Sequence, residues 1–349
     1  MNRRLSGLAP VLVCAGALSA CSGGSAVTPS TARNAVTQPQ NQSGAPAVTE
    51  SIVSRSLSSS TTSAPHIVWT HIQKRPIASS TATVRRSAIV NSPFNLTYFG
   101  GALVKKTVSN PIYVNCASTP AACWGSVTRG SPGTFLARLA ASNFIHILDQ
   151  YEGTTANNRY TLGTSANLTI SGLPHVVQLS STTQVSIAAI VHAVASAFGT
   201  GYGHVYHVFL PKGTDTCMGP AAPNVCYSPD NPANFIFCAY HGSADFADIG
   251  HVLFSVEPYQ GVVPGAPSGC ADTLIQAPHG TVDIMASTLS HETFEAISDP
   301  DGSSWFNRLF LIEIGDECVG FHDDDNFGGE FFDVQEEYSN AKNGCVNGV

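Results

Sequence analysis

Lysine and arginine are scarce in this chain: its 349 residues include 16 basic and 24 acidic residues, for a formal net charge of −8 at pH 7. Proteins that bind nucleic acids neutralise phosphates with a basic surface, so we expect no nucleic-acid partner. The chain also lacks the glycine-rich phosphate loops of nucleotide-binding folds and the G-x-S-x-G turn of many serine hydrolases. Chemistry based on either feature is therefore not expected.

The sequence has no C-x-x-C pair, so a cysteine-bound zinc site is not expected. Ten cysteines are present, of which Cys14 and Cys21 lie near the N-terminus. The other eight are at positions 116, 123, 217, 226, 238, 270, 318 and 345. An even number in an exported protein predicts disulfide bonds. Close spacing favours Cys116 with Cys123 and Cys318 with Cys345, and leaves the pairing of the other four open.

The N-terminal residues predict export. Arg3 and Arg4 precede an apolar run at 8–18, and small residues follow, which is typical of a signal peptide. Leu18-Ser-Ala-Cys21 resembles the lipobox of bacterial lipoproteins, in which the cysteine is lipidated. We therefore predict a lipoprotein signal peptide at 1–20 and a chain held by lipid on Cys21 at the bacterial cell envelope, outside the cytoplasm. Ordinary cleavage at the small residues is the alternative.

Two regions follow the predicted signal. Residues 21–65 are rich in serine, threonine and alanine and carry few charged side chains, which predicts a disordered tether. Residues 66–349 alternate apolar runs with glycine and proline, which predicts one α+β domain. Strands are expected at 95–104, 111–115, 204–210, 234–240 and 251–256, and helices at 134–151, 184–198 and 281–297. Helix 184–198 is apolar nearly all round, so we expect it to be buried, and Asp283 is the expected N-cap of the last helix.

An H-E-x-x-E motif, formed by His291, Glu292 and Glu295, lies in the last predicted helix. His291 and Glu295 are four residues apart and share a helix face, where a metal can bridge them. Glu292 would then lie beside the metal, as a general base must in order to activate water. The motif is a variant of the zinc-protease H-E-x-x-H. A surface helix that happens to carry these residues is the alternative.

A catalytic zinc needs a third protein ligand. Glu313 is the first candidate, because an apolar run at 309–312 leads into it and should fix its position. Asp316 is the second candidate, either as the ligand or as a carboxylate that orients one. Asp301, ten residues after His291, is the third. One histidine and two carboxylates make an oxygen-rich site, so manganese, iron or calcium are alternatives to zinc, and the metal would be a weaker Lewis acid.

The C-terminal part is strongly acidic: residues 292–337 hold 14 of the 24 acidic residues and one basic residue, Arg308. Asp323, Asp324 and Asp325 precede two glycines and offer oxygen ligands for calcium, although the EF-hand spacing is missing. A solvated acidic loop is the favoured interpretation. His241 ends a predicted strand beside a glycine, where a structural role is favoured over one in lining a cleft.

The order of these segments resembles that of bacterial relatives of the EXORDIUM, or phosphate-induced protein, family. The resemblance covers about residues 92–345 and rests on segments 98–104, 111–114, 237–241, 290–300 and 313–318, the last two being the most specific. It implies a zincin-like mixed sheet with a motif helix and a second, backing helix, for which 184–198 is the candidate. It also supports His291, Glu292, Glu295 and Glu313 as site residues. Phe99 stands where many relatives have histidine, so no role is transferred to it.

Together these observations predict an extracytoplasmic, lipid-anchored metallohydrolase, most simply a zinc metallopeptidase acting on peptides or proteins. His291, Glu295 and Glu313 would hold the metal, Asp316 would orient a ligand, and Glu292 would take a proton from water. Plant members of the family largely lack the H-E pair, which implies that the scaffold can persist without a metal. The alternative is therefore a non-catalytic envelope or surface protein with a structural or calcium site and an envelope partner.

Overall fold

A mixed eight-stranded sheet organises the chain. The computed structural model describes residues 48–57, 66–74, 94–155, 157–219, 222–231, 233–261, 270 and 279–349, with the backbone alone at 66–74. All of them belong to one unit, Gly44–Val349. The predicted signal peptide and the lipidation site Cys21 lie outside the described residues.

The strands and helices are as follows. The strands are β1 (Ile52–Leu57), β2 (His66–Lys74), β3 (Thr97–Tyr98), β4 (Thr107–Val114), β5 (Tyr160–Leu162), β6 (Ser165–Ile170), β7 (Val176–Gln178), β8 (His204–Phe209), β9 (Asp215–Cys217), β10 (Cys226–Tyr227), β11 (Phe237–Phe246), β12 (Gly250–Glu257), β13 (Trp305–Phe306), β14 (His322–Phe327), β15 (Glu330–Gln335), β16 (Glu337–Ser339) and β17 (Gly344–Val346). The α-helices are α1 (Pro120–Trp124), α2 (Pro132–Ala140), α3 (Asp149–Glu152), α4 (Ile187–Phe198) and α5 (Thr281–Ser298). Short 3₁₀ helices cover Phe144–Leu148, Gly201–Gly203 and Asp316–Cys318.

The strand order in the main sheet is β1-β6-β4-β8-β12-β11-β2, with β5 also paired to β4. In this order the first five strands, β1, β6, β4, β8 and β12, run parallel to one another. The last two differ, because β11 pairs antiparallel with both β12 and β2. The inner parallel strands β4 and β8 are buried on both faces, which explains the mostly apolar sequence of β8, whereas the edge strand β1 is largely exposed. The α+β class and the mixed sheet are confirmed, including the three neighbouring strands expected near 204, 234 and 251.

The two long helices lie on opposite faces of this sheet. Side chains of α4 pack with Tyr206 and Val208 of β8 in one core cluster. Most apolar side chains of α5 pack with Val205 and Phe209, which point the other way from the same strand, in a second cluster. The buried helix expected at 184–198 is confirmed, and the side-chain hydroxyl of Ser186 caps it. Its expected role as a backing helix is wrong, because the sheet separates it from α5.

Part of the predicted tether belongs to the fold. Strand β1 pairs parallel with β6 at the edge of the main sheet. The Glu50 carboxylate, just before it, accepts hydrogen bonds from the hydroxyls of Tyr113, Ser131 and Ser165. A carboxylate with three hydroxyl donors is firmly held, so residues 48–57 are ordered by this anchor. The other residues of the predicted tether are outside the described part of the chain.

Four disulfide bonds join the eight cysteines that follow the N-terminal region. The two expected pairs, Cys116–Cys123 and Cys318–Cys345, are both present. The remaining bonds are Cys217–Cys226 and Cys238–Cys270. The expectation of disulfide bonding is therefore confirmed.

Several element boundaries differ from expectation for local reasons. The strand expected at 95–104 is limited to β3, because the backbone leaves the extended conformation at Gly100, where φ is 96°. The helix expected at 134–151 is broken into α2, a 3₁₀ turn and α3, since the Ser142 hydroxyl donates to the Leu139 carbonyl at the end of α2.

Helix α5 begins one turn earlier than an Asp283 cap would require. Its N-cap is Gly280, and Asp283 in the first turn instead accepts hydrogen bonds from the backbone N–H groups of His279 and Asp333. The helix ends at Ser298, and Pro300 follows the C-cap Asp299, as expected from the restricted backbone before proline.

The acidic segment expected as a loop is a β-hairpin. Asp323, Asp324 and Asp325 lie in β14, which pairs antiparallel with β15 across the turn at Gly328 and Gly329. Alternate side chains of a strand point to opposite sides, so Asp324 points away from Asp323 and Asp325, which both accept hydrogen bonds from the side-chain amide of Asn347. The expected loop is therefore corrected to a paired strand, and calcium binding by these carboxylates stays a prediction.

Candidate metal centre

Helix α5 carries the motif and is enclosed by the protein, since every residue after Thr281 is buried. Its polar side chains remain compatible with burial because hydroxyls such as that of Thr293 donate to carbonyls one turn earlier. His291 and Glu295 share one helix face, and His291 Nε2 lies 3.1 Å from Glu295 Oε1. The four-residue spacing therefore brings the His291 and Glu295 side chains together, as expected from the sequence.

His241 joins this motif from β11. Its Nδ1 lies 3.3 Å from Glu292 Oε2 and 3.5 Å from Glu295 Oε2, and its Nε2 lies 3.3 Å from the Asp299 carbonyl oxygen. Strand register places His241 opposite Ser255, on the sheet face that α5 covers. The sequence analysis favoured a structural role for His241 and did not place it beside the motif. The sequence does not show which face of the sheet meets the motif helix.

The three candidates for a third ligand are found in different places. Asp316 can offer a carboxylate oxygen within 4.8 Å of ligand atoms of both His291 and Glu295. Glu313, the first choice from sequence, is buried, and its Oε1 lies 3.8 Å from His241 Nε2. Asp301 is engaged elsewhere: it accepts hydrogen bonds from Tyr202 and Ser243.

The apolar run before Glu313 is also arranged differently from expectation. Leu309, Phe310 and Leu311 are 68%, 56% and 65% exposed, so they do not lead into Glu313 through the core. Instead, Asn307 holds the turn, because its side-chain oxygen accepts hydrogen bonds from the backbone N–H groups of Leu309 and Phe310. The burial of Glu313 follows from this turn and from the buried Ile314 after it.

Gln335 of β15 orients His291. Its side-chain amide nitrogen donates to the Gly315 carbonyl at 2.7 Å and lies 2.8 Å from His291 Nδ1. Because this nitrogen is a donor, Nδ1 accepts and the neutral ring carries its proton on Nε2, toward Glu295. Gly315 permits the close approach, since a Cβ there would be 2.4 Å from His291 Nδ1.

Two further carboxyls that the sequence reasoning missed approach this cluster. Glu257 of β12 accepts a hydrogen bond from Ser255, and burial raises its pKa to about 7 while nearby His291 lowers it. Glu337 of β16 is buried, and neither carboxylate oxygen has a hydrogen-bond partner among the described residues. Burial and then the charge of Glu295 raise its pKa well above the ordinary value. No local sequence motif predicts that either residue is near the cluster, because both belong to strands that are far from the motif helix in the sequence.

The cluster concentrates negative charge in a buried place. Burial raises the pKa of Glu292 well above its ordinary value, and four other carboxyls raise it further: Glu295, Glu257, Asp316 and Glu313. With Glu337, six carboxyls interact around α5. Buried carboxylates cost several kcal/mol each unless they are protonated or paired with cations. The cluster therefore requires protons or metal ions.

The donor geometry fits a metal. Ligands at about 2.0–2.2 Å from a tetrahedral metal lie about 3.3–3.6 Å from one another. The observed separations of 3.1, 3.3 and 3.5 Å within the cluster are close to that range. Another group, formed by His175, Asp215 and Asp230, meets the same broad criterion on the three-stranded sheet, but His175 and Asp230 are exposed.

No protein-family model matches the chain, and searches of curated proteins and of solved structures return no match either. The resemblance to the EXORDIUM relatives therefore stays a prediction. Within the described part of the chain, no helix is both long enough and apolar enough to cross a membrane.

Proposed function

We propose that this chain is an extracytoplasmic, lipid-anchored metal-dependent hydrolase, with zinc as the metal and peptides or proteins as substrates. The observation that carries the proposal is the meeting of the H-E-x-x-E residues with His241 and Asp316 in one cluster, in which every residue except the half-buried Asp316 is buried. The four disulfide bonds support a location outside the cytoplasm, where such bonds persist. The lipid anchor rests on the sequence around Cys21.

Each residue has a distinct part in this proposal. His291, Glu295 and Asp316 would hold the metal, because their ligand atoms lie within 4.8 Å of one another. When bound, a divalent metal polarises the substrate carbonyl and lowers the pKa of a water molecule. Gln335 fixes the His291 ring. When Nε2 holds the metal, Nδ1 carries the proton, so the Gln335 amide would turn, give up its donation to the Gly315 carbonyl and accept from Nδ1. Glu313 would position His241, whose Nε2 it faces at 3.8 Å.

Glu292 would take the proton from water and pass it to the leaving amine. Its Oε2 is paired with His241, whereas its Oε1 has no hydrogen-bond partner among the residues that the structure describes. Oε1 is therefore the atom available to receive a proton. A raised pKa makes an ionised carboxylate a stronger proton acceptor, and burial raises the pKa of Glu292.

The exposed apolar residues before Glu313 offer a place for substrate. Leu309, Phe310 and Leu311 stand at the surface within a few residues of Glu313 and Asp316. Apolar side chains exposed together are costly unless they meet a partner, and an extended peptide with apolar residues would cover them. This supports a peptide over a small polar substrate.

The test combines metal analysis with cleavage of a fluorogenic peptide library. We expect stoichiometric zinc in the purified chain, loss of zinc in Glu295→Gln, and loss of cleavage with zinc retained or reduced in Glu292→Gln. Glu330→Gln, at a carboxylate 37% exposed on the hairpin, is the matched control and should keep both properties. Equal cleavage by the wild type and Glu292→Gln would assign the activity to a contaminant and refute the proposal.

A second candidate is a non-catalytic envelope protein with a structural metal. The observation that favours it is burial: His241, His291, Glu292, Glu295 and Glu313 have no exposed surface. Structural zinc sites are closed, whereas catalytic ones keep a position open to substrate. Stoichiometric zinc without peptide cleavage under any condition that keeps the fold would select this candidate.

A further inference from the structure

The two oxygens of Glu295 face different histidines. Oε1 lies 3.1 Å from His291 Nε2, and Oε2 lies 3.5 Å from His241 Nδ1. A carboxylate around a single metal usually directs its oxygens at one point. Here one oxygen faces a nitrogen of His291 on helix α5 and the other faces a nitrogen of His241 on strand β11. The Glu295 side chain therefore lies between two possible metal positions.

Each place has its own set of ligand atoms. One set is His291, Glu295 and Asp316, and the other is His241, Glu292 and Glu295. The sets share Glu295 alone, and in each one the atoms lie within 4.8 Å of one another. Each set thus supplies one imidazole nitrogen and two carboxylate oxygens, a donor set that suits zinc or manganese.

The buried charge agrees with two ions. The two sets contain three carboxyl groups, those of Glu292, Glu295 and Asp316. A fourth, that of Glu313, faces His241 Nε2 at 3.8 Å. One divalent cation would balance two of these four groups, and two cations would balance all of them. Three buried carboxyl groups of the cluster also have oxygens that lack a hydrogen-bond partner among the described residues: Oε1 of Glu292, Oε2 of Glu257 and both oxygens of Glu337. Burying such atoms without partners is unfavourable, so the protein gains stability when cations or protons occupy their surroundings.

We propose that this centre binds two divalent cations, zinc or manganese, bridged by the Glu295 carboxylate, with His241 and Glu292 completing the second site. The inference rests on the metal binding in the proposed function and extends it. It gives Glu292 a second part, as a ligand through Oε2. A pair of cations can stabilise the attacking and the leaving atom of a hydrolysis together, which a single ion of weak Lewis acidity does less well.

The test counts ions on the full chain after removal of metal with a chelator and reloading with zinc or manganese. The background is His175→Ala, so that the exposed His175 group does not add to the count. We expect two ions per chain in this background and one in His241→Gln or Glu292→Gln. His207→Gln is the matched control and should keep two ions. His207 lies on β8, separated from β11 by β12, is as buried as His241, bonds Ser255 and belongs to neither set.

A second measurement, independent of any variant at the site, is electron paramagnetic resonance of the manganese-loaded chain. Two bridged manganese ions give the signal of a coupled pair, whereas a lone ion gives a six-line signal. A count of one with an uncoupled signal would overturn the second site and leave the proposed function standing. A count of zero would overturn both, and two ions retained in His241→Gln would overturn the ligand assignment.

Discussion

Gly315 gives the sharpest test of the packing around His291. Its backbone is ordinary, with φ −77° and ψ −42°, so alanine adds no backbone strain there. The added Cβ would stand 2.4 Å from Nδ1, 2.6 Å from Cε1 and 2.8 Å from Cγ of His291, where ordinary contact begins at 3.4 Å. The imidazole must therefore move by about 1 Å, the difference between 3.4 and 2.4 Å. Overpacking of this kind costs about 1–3 kcal/mol, and a weakened Gln335 hydrogen bond adds about 1 kcal/mol.

Gly315→Ala should thus lower the free energy of unfolding by about 2–4 kcal/mol, or several degrees in Tm. It should also weaken metal binding about 10–100-fold, because the displaced ring no longer presents Nε2 correctly. Thermal unfolding in chelator and calorimetric titration with zinc measure the two effects separately. Gly344→Ala is the control, since nothing lies within 4 Å of a Cβ at that position. If the two variants unfold and bind zinc alike, the close packing against His291 is refuted.

Two other predictions follow from burial and covalent links. Burial raises the pKa of Glu152 to about 8 from an ordinary 4.5, so the folded chain keeps this proton where the unfolded chain loses it. The wild type should therefore lose roughly 5 kcal/mol relative to Glu152→Gln as pH rises from about 4.5 to 8, and parallel urea-denaturation profiles would contradict this. Replacing Cys318 and Cys345 by alanine opens a loop of 27 residues and should cost about 3.5 kcal/mol, against about 2.4 kcal/mol for the 7-residue loop of Cys116 and Cys123. Only replacement of Cys318 and Cys345 should also weaken zinc binding, because Cys318 follows Asp316 closely. Equal zinc affinities of the two double variants would refute this effect of the Cys318–Cys345 bond on the metal site.

Sequence patterns predicted the elements whose signals are local. Helix α5 followed from the spacing of its motif, and α4 from its apolar run. Two disulfide bonds followed from short separations. The break after α2 was missed because apolar periodicity continues through the 3₁₀ turn at Phe144–Leu148, while a serine hydroxyl competes for the helix carbonyls. Strand β11 runs through Gly242, which alone predicts an end, because pairing on both sides outweighs the weak strand preference of glycine.

The candidate site divides in the same way. The helix spacing predicted the meeting of His291 with Glu295, since both lie within one turn and a half. The positions of His241, Gln335 and Glu337 depend on which sheet face covers α5 and on how the C-terminal strands return, and no single segment encodes either. The relative positions of Glu313 and Asp316 likewise depend on the turn at Asn307. The apolar residues in this turn are exposed, whereas a run of apolar residues usually indicates a buried segment.

The Glu50 anchor limits how far the chain can be shortened. A version beginning at residue 66, the expected domain boundary, would lose β1 and leave the backbone groups of β6 open along the edge of the main sheet. Three hydroxyls, on Tyr113, Ser131 and Ser165, would lose their shared acceptor at the same time. An open edge recruits other chains by strand pairing, so such a version is expected to self-associate. A start at or before residue 48 should keep the edge closed.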